Sequence, residues 1–158
     1  MTRSFRPDPV TRAELADLAF DYAQAVDRGD ADRLCALFTD DARVGGMDDH
    51  VPVFEGHEGL RRMIAQVDQA FVKTMHNVFN QTFEMGEQDR ATGETYCLAS
   101  HVIEQPGGQW ELLDMAIRYH NAYERKEGIW KFARRRLEVE WIETRPVKAM
   151  DPAFLAAR

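Results

Sequence analysis

The spacing of apolar residues changes period near residue 76. Before that point apolar positions recur every three or four residues, and after it they alternate in long runs. Leu15, Leu18, Ala19, Tyr22, Ala25 and Val26 fall on one face of a helix. Thr11 predicts its N-cap, with Glu14 three residues on to complete a capping box, and Gly29 predicts its end. Asp30 predicts the cap of a short second helix carrying Leu34, Leu37 and Phe38. A loop with Gly45, Gly46, Asp48 and Asp49 follows, then a short strand over 51–54. Leu60, Met63, Ile64 and Val67 predict a third helix over 56–71.

The second half reads as four long strands over 76–86, 92–104, 111–125 and 129–143. The breaks are short: Gly86 to Asp89, Gln105-Pro106-Gly107-Gly108, and Lys126-Glu127-Gly128. Three short connections in a row imply an antiparallel meander. Helices followed by strands imply an α+β fold. The expected form is a single cone-shaped domain, a curved antiparallel sheet wrapped around the N-terminal helices with an internal pocket. Its expected limits are an N-terminal arm over 1–10, the domain over 11–145 and a tail over 146–158.

Composition narrows the partners. The chain has 158 residues, 44% hydrophobic and 30% charged, which suits one globular domain. Twenty basic against 27 acidic residues give a net charge of -7. That field attracts neither nucleic acid nor an anionic membrane. No apolar run is long enough to span a bilayer, and the opening residues lack an apolar signal core, so a cytoplasmic location is expected. Cys35 and Cys97 sit in apolar segments and read as buried thiols, with no spacing that suggests zinc. His50 and His57 read as surface residues.

Three polar features stand out. Asp27 lies in the last turn of the first helix, where a carboxylate opposes the helix dipole. That suggests pairing with a cation or a histidine; the alternative is a solvated acid beside Arg28. His76 opens the first long strand. Strict alternation puts Asn77, Phe79, Gln81, Phe83 and Met85 on one face of that strand and His76, Val78, Asn80, Thr82 and Glu84 on the other. Neither face is simply apolar, which suits the wall of a wet cavity. A histidine there is either a general base or a hydrogen-bonded structural residue. In the last strand the apolar phase flips across Arg134-Arg135-Arg136, predicting a bulge that re-aims side chains. One arginine would then face inward to meet developing negative charge, or all three would pair with Glu138, Glu140 and Glu143. Ser100, His101, Arg118, His120 and Asn121 are weaker candidates on the middle strands.

The ordered set resembles a family. Tyr22 and Asp27 on a first helix are followed by GDADRLCALFTDDARV, FEGHEGLRRMI, TMHNVFNQTFEMGEQDRATGETYCLASHV and YHNAYERKEGIWKFARRRLEV. This is similar, over roughly residues 10–143, to the SnoaL-like branch of the nuclear transport factor 2-like superfamily. Within it the chain looks most like the group of scytalone dehydratase, bile-acid dehydratase and hexachlorocyclohexane dehydrochlorinase. The resemblance implies that His76, paired with Asp27, removes a proton. It implies an assisting arginine after the W-x-F of the last strand, which by counting is Arg135, with Arg134 left open by the bulge. Tyr22 takes the position of a substrate-polarising tyrosine. Bile-acid dehydratase-like members carry an acid on the second long strand, where this chain has Ser100 and His101. His101 corresponds to a second histidine of scytalone dehydratase.

The implied chemistry is elimination, foremost dehydration, or isomerisation. It needs no cofactor and acts on a small, largely apolar cyclic, polyketide-like or steroid-like molecule. The same fold also serves as the small subunit of ring-hydroxylating dioxygenases, which implies the alternative of a non-catalytic binding or assembly subunit. An exposed sheet face, with Phe79, Phe83, Tyr119, Tyr123 and Trp141 as residents, predicts a homo-oligomer, dimer or trimer.

Overall fold

A computed structural model describes residues 6–47 and 52–149. Its elements run α1 (Pro9–Asp27), α2 (Ala31–Ala36), β1 (Phe38–Gly46), β2 (Phe54–Glu55), α3 (Gly56–Ala70), β3 (Lys73–Met85), β4 (Arg90–Gln105), β5 (Gln109–Lys126) and β6 (Ile129–Val147). Among the described residues the sheet has six strands in the order β2-β1-β6-β5-β4-β3. The fold is a single α+β domain with a curved sheet and helices packed on its inner face.

Helix α1 begins earlier than the expected cap at Thr11. Asp8 is the N-cap, accepting from the backbone N–H groups of Val10 and Thr11, and Pro9 occupies the first turn. Thr11 instead donates its hydroxyl to Asp8 at 2.7 Å. The expected arm over 1–10 is therefore partly helical. The helix stops where Gly29 turns to φ 64°. Asp30 caps α2 through the Arg33 N–H.

Strand β1 replaces an expected loop. Asp40, Asp41, Gly45 and Gly46 imitate turn chemistry, and Phe38, read above as helical, is the first strand residue. The irregularity is real: the β1–β6 register shifts between Phe38 and Arg43, so the aspartates lie in a bulge. The β1–β6 pair is also parallel, whereas the other pairs are antiparallel. This one pair departs from an all-antiparallel sheet. The expected strand over 51–54 is seen only as Phe54–Glu55, and Asp48, Asp49, His50 and Val51 lie outside the described residues.

The four long strands form the expected meander, but bulges reassign their faces. In β3, Val78 pairs with Cys97 and Gln81 with Thr95, so one extra residue intervenes. His76 and Val78 therefore share the inner face with Gln81, Phe83 and Met85, contrary to strict alternation. In β6, Phe132 pairs with Tyr123 and Arg134 with Ala122, leaving Ala133 as the extra residue. A second shift, at Glu140, turns Trp141 to the outer face.

The core joins the apolar stripe of α1 to the inner faces of β1, β5 and β6. Leu15, Leu34, Phe38, Leu60, Val44, Tyr119, Tyr123 and Phe132 are fully buried in it. Burying side chains of this size stabilises by roughly 1.5–3 kcal/mol each. Of the residues expected on an exposed sheet face, Phe79 and Trp141 are exposed, while Phe83, Tyr119 and Tyr123 are core. Both cysteines are buried and unpaired.

Candidate active site

Asp27 and His76 meet where the end of α1 packs on the start of β3. One Asp27 oxygen, Oδ1, lies 2.7 Å from His76 Nδ1 and accepts the Thr74 hydroxyl at 2.9 Å. The other, Oδ2, accepts the His76 backbone N–H at 2.9 Å. Three contacts thus fix the carboxylate, and through it the imidazole. An ionised carboxylate only accepts, so Nδ1 carries the proton and Nε2 keeps its lone pair. The His76 side chain is 6% exposed and that of Asp27 is 21%. Burial opposes ionisation of Asp27. Hydrogen bonds from the His76 side chain and backbone outweigh that opposition and hold the carboxyl below its ordinary value.

Tyr22 stands one turn and a half before Asp27 on α1, inside the core. Its ring meets His76 edge-on at 6.4 Å and also touches Phe38, Tyr119 and Phe132. Burial raises the Tyr22 hydroxyl above its ordinary value, against the opposing charge of Arg135. The hydroxyl is therefore protonated at neutral pH and can donate.

The Ala133 bulge decides the fate of the three arginines. Arg135 points inward and is 1% exposed. Its guanidinium carbon lies 3.6 Å from the Tyr119 ring centre, 4.3 Å from Tyr22 and 5.0 Å from Phe132. Cation–π attraction of this kind is worth about 2 kcal/mol when desolvated. Arg134 and Arg136 point the other way, into an open groove of about 200 Å³ shared with Arg43.

His101, on β4, is also buried, with its ring 4.4 Å from Phe71 and 5.5 Å from His76. Its Nδ1 has no hydrogen-bond partner among the described residues. Burial, reinforced by neighbouring His76, pulls its pKa down to about 4, so the ring is neutral at pH 7. A cationic acid is not available at this position.

The sequence candidates thus divide. Asp27, His76, Tyr22, Arg135 and His101 converge on the inner face. Ser100 lies on the outer face, where its hydroxyl donates to Asp114. His120 is also on the outer face, between Glu94 and Glu138. Tyr119, expected on an exposed sheet face, belongs to the inner group instead, because a tyrosine in an alternating strand does not by itself say which face is covered. Among the described residues no group of three His, Cys, Asp or Glu side chains is placed to hold a metal ion.

The chain is similar to several known proteins. Hexachlorocyclohexane dehydrochlorinase 1 of Sphingobium indicum is 29% identical over 129 residues, 78% of each chain. A crystal structure of a type 2 hexachlorocyclohexane dehydrochlorinase superposes with a TM-score of 0.75 at 26% identity, covering 89% of this chain and 91% of that one. A scytalone dehydratase candidate from Novosphingobium aromaticivorans shares the fold, with a TM-score of 0.74 at 22% identity over 90% and 93% of the two chains. The SnoaL-like domain model matches residues 10–136. The chain belongs to the SnoaL-like domain family.

Proposed function

We propose that the protein is a cofactor-independent lyase or isomerase using His76 as general base. Dehydration of a small, largely apolar cyclic, polyketide-like or steroid-like molecule is the favoured reaction. The observation that carries this reading is the 2.7 Å contact of His76 Nδ1 with a carboxylate held by two further donors. Asp27 fixes the tautomer and stabilises the imidazolium once formed. Nε2 takes a proton from carbon beside a carbonyl or next to a leaving group. The C–H electron pair becomes a C=C bond as hydroxide or halide departs, or an enolate if the proton returns elsewhere. Tyr22, protonated at neutral pH, donates to the departing or carbonyl oxygen. Arg135 supplies positive charge behind Tyr22, and His101 serves as a neutral hydrogen-bonding group.

The dehydrochlorinase relatives support elimination as the reaction class. A positioned general base contributes about 10²–10⁴-fold. The test is turnover of β-hydroxy ketones and of hexachlorocyclohexane by the protein and by His76→Gln. Turnover lost by at least 10²-fold in the variant is the expected result. Equal turnover by both overturns the base assignment. Absence of turnover together with co-purification of a large iron–sulfur oxygenase subunit would favour the assembly-subunit alternative. A cytoplasmic, homo-oligomeric protein is part of the same proposal, with the exposed Met75, Phe79 and Trp141 on the outer sheet face as the contact between copies.

A further inference from the structure

Arg135 is buried without a carboxylate partner among the described residues. Its hydrogen-bond partner there is neutral: Nη1 donates to Asn121 Oδ1 at 2.9 Å, and Nε has none. Asn121 is itself 4% exposed and stands opposite Arg135 in the β5–β6 register. Its amide donates to the Thr95 hydroxyl at 3.1 Å, and Thr95, 0% exposed, donates to Gln81 Oε1 at 3.4 Å. The four side chains make a row across β6, β5, β4 and β3.

The row has one possible direction. A guanidinium has donors only, so the carboxamide must turn its oxygen to Arg135. Its NH₂ then faces Thr95, and the Thr95 proton is left for Gln81. Each link polarises the next in the same sense, which strengthens the acceptor offered to Arg135. An aspartate at 121 would hold Arg135 equally well but cancel its charge. The amide holds it and leaves the charge in place against the faces of Tyr22 and Tyr119.

We propose that Asn121 is a positioning residue that clamps the Arg135 guanidinium against Tyr22 and Tyr119 as an unneutralised cation, with Thr95 and Gln81 orienting the clamp. The clamp stands independently; its use against a developing oxyanion rests on the lyase reading above.

Two readouts on the full chain separate these. In ¹⁵N-labelled protein the clamp slows rotation of the Arg135 guanidinium, giving separately resolved Nη signals. Asn121→Ala averages them, and Thr95→Val, which keeps the shape of residue 95, broadens them. Asn121→Asp keeps them resolved. Turnover on whichever probe, β-hydroxy ketone or hexachlorocyclohexane, the protein converts then shows the electrostatic half. Asn121→Asp lowers kcat by about 10² or more, as loss of an oxyanion donor does, with KM changed less than about threefold. A merely structural Asn121 would tolerate aspartate in both readouts. Resolved signals that persist in Asn121→Ala and Thr95→Val overturn the clamp, whether or not the protein turns over a probe. Unchanged kcat in Asn121→Asp overturns the charge argument. If no probe is converted by the unsubstituted protein, the lyase reading fails and the Arg135 signals alone decide the clamp.

Discussion

At the scale of single residues, the proposed mechanism depends on fixed protonation states. Asp27→Asn keeps the shape of the carboxylate but presents an amide that no longer demands a proton on Nδ1. The ring then rests with its lone pair turned away from substrate. Turnover should fall by about 10²–10⁴, with the unfolding midpoint in urea changed far less than for His76→Ala. His101 gives a second residue-scale prediction. Its folded-state pKa of about 4 lies below the ordinary 6.5, so the unfolded chain binds a proton first. Stability is therefore lost as pH falls from about 6.5 to 4, on the order of 3 kcal/mol once protonation is complete. The depressed Asp27 carboxyl acts in the same direction in a lower window, its contribution being present above 3.8 and lost as pH falls through the folded value. His101→Leu should flatten the urea-midpoint curve between pH 6.5 and 4 and leave the Asp27-linked loss below it.

At the scale of elements, β-bulges set the geometry. Deleting Ala133 removes the extra residue of β6, so strict alternation then runs from Phe132 through Arg134 to Arg135, and Arg135 still faces inward opposite Asn121. The expected result is a loss of roughly 0.5–3 kcal/mol, visible as a lower thermal midpoint, because the bend that the bulge gives β6 is lost while Phe132 and Arg135 keep their partners. Gly93 shows how closely the strands approach one another. A Cβ there would meet the Thr82 carbonyl oxygen at 2.5 Å and Phe83 at 2.9 Å. Gly93→Ala should cost about 1–3 kcal/mol, or some 2–12 °C in Tm for a chain of this size. These features also explain what the sequence disclosed. Long strands divided by glycine-rich turns were legible to within a few residues. So was the flip across Arg134–Arg136, because hydrophobic phase records it. The β3 bulge left no such record, since Phe79 and Phe83 are both apolar, and the faces beyond it were misassigned. Strand β1 hid behind aspartates and glycines, and Asp8 behind an arm that reads as polar. The Asp27–His76 pair spans 49 residues, and only the misplaced carboxylate and the family resemblance connected them. Asn121 was visible as a polar residue in mid-strand, but its role depends on partners in three other strands.

At the scale of the whole molecule, the inner and outer faces of the sheet have different tasks. The inner face carries the candidate residues His76, His101 and Arg135. The outer face presents Met75, Phe79 and Trp141, each more than half exposed, beside the buried Asp114 and its partner Arg145. If copies meet on this face as proposed, Trp141→Glu shifts the sedimentation profile towards monomer without altering the near-ultraviolet signature of the tyrosine cluster, because Trp141 faces away from it. A profile identical to the parent would overturn the proposed contact between copies.

The parallel β1–β6 pair has a consequence in time rather than space. It joins residues about ninety positions apart, such as Val44 and Arg135. A ribosome would release the helices, β1 and the dyad residues well before β6. Until that last strand inserts between β1 and β5, Tyr22 and Phe38 have no Phe132 to cover them and Arg135 has no cage. Chain closure at this seam is a long-range event, which slows folding. A nascent or C-terminally shortened chain would thus expose a greasy aromatic patch of the kind that chaperones and proteases recognise, until β6 is in place.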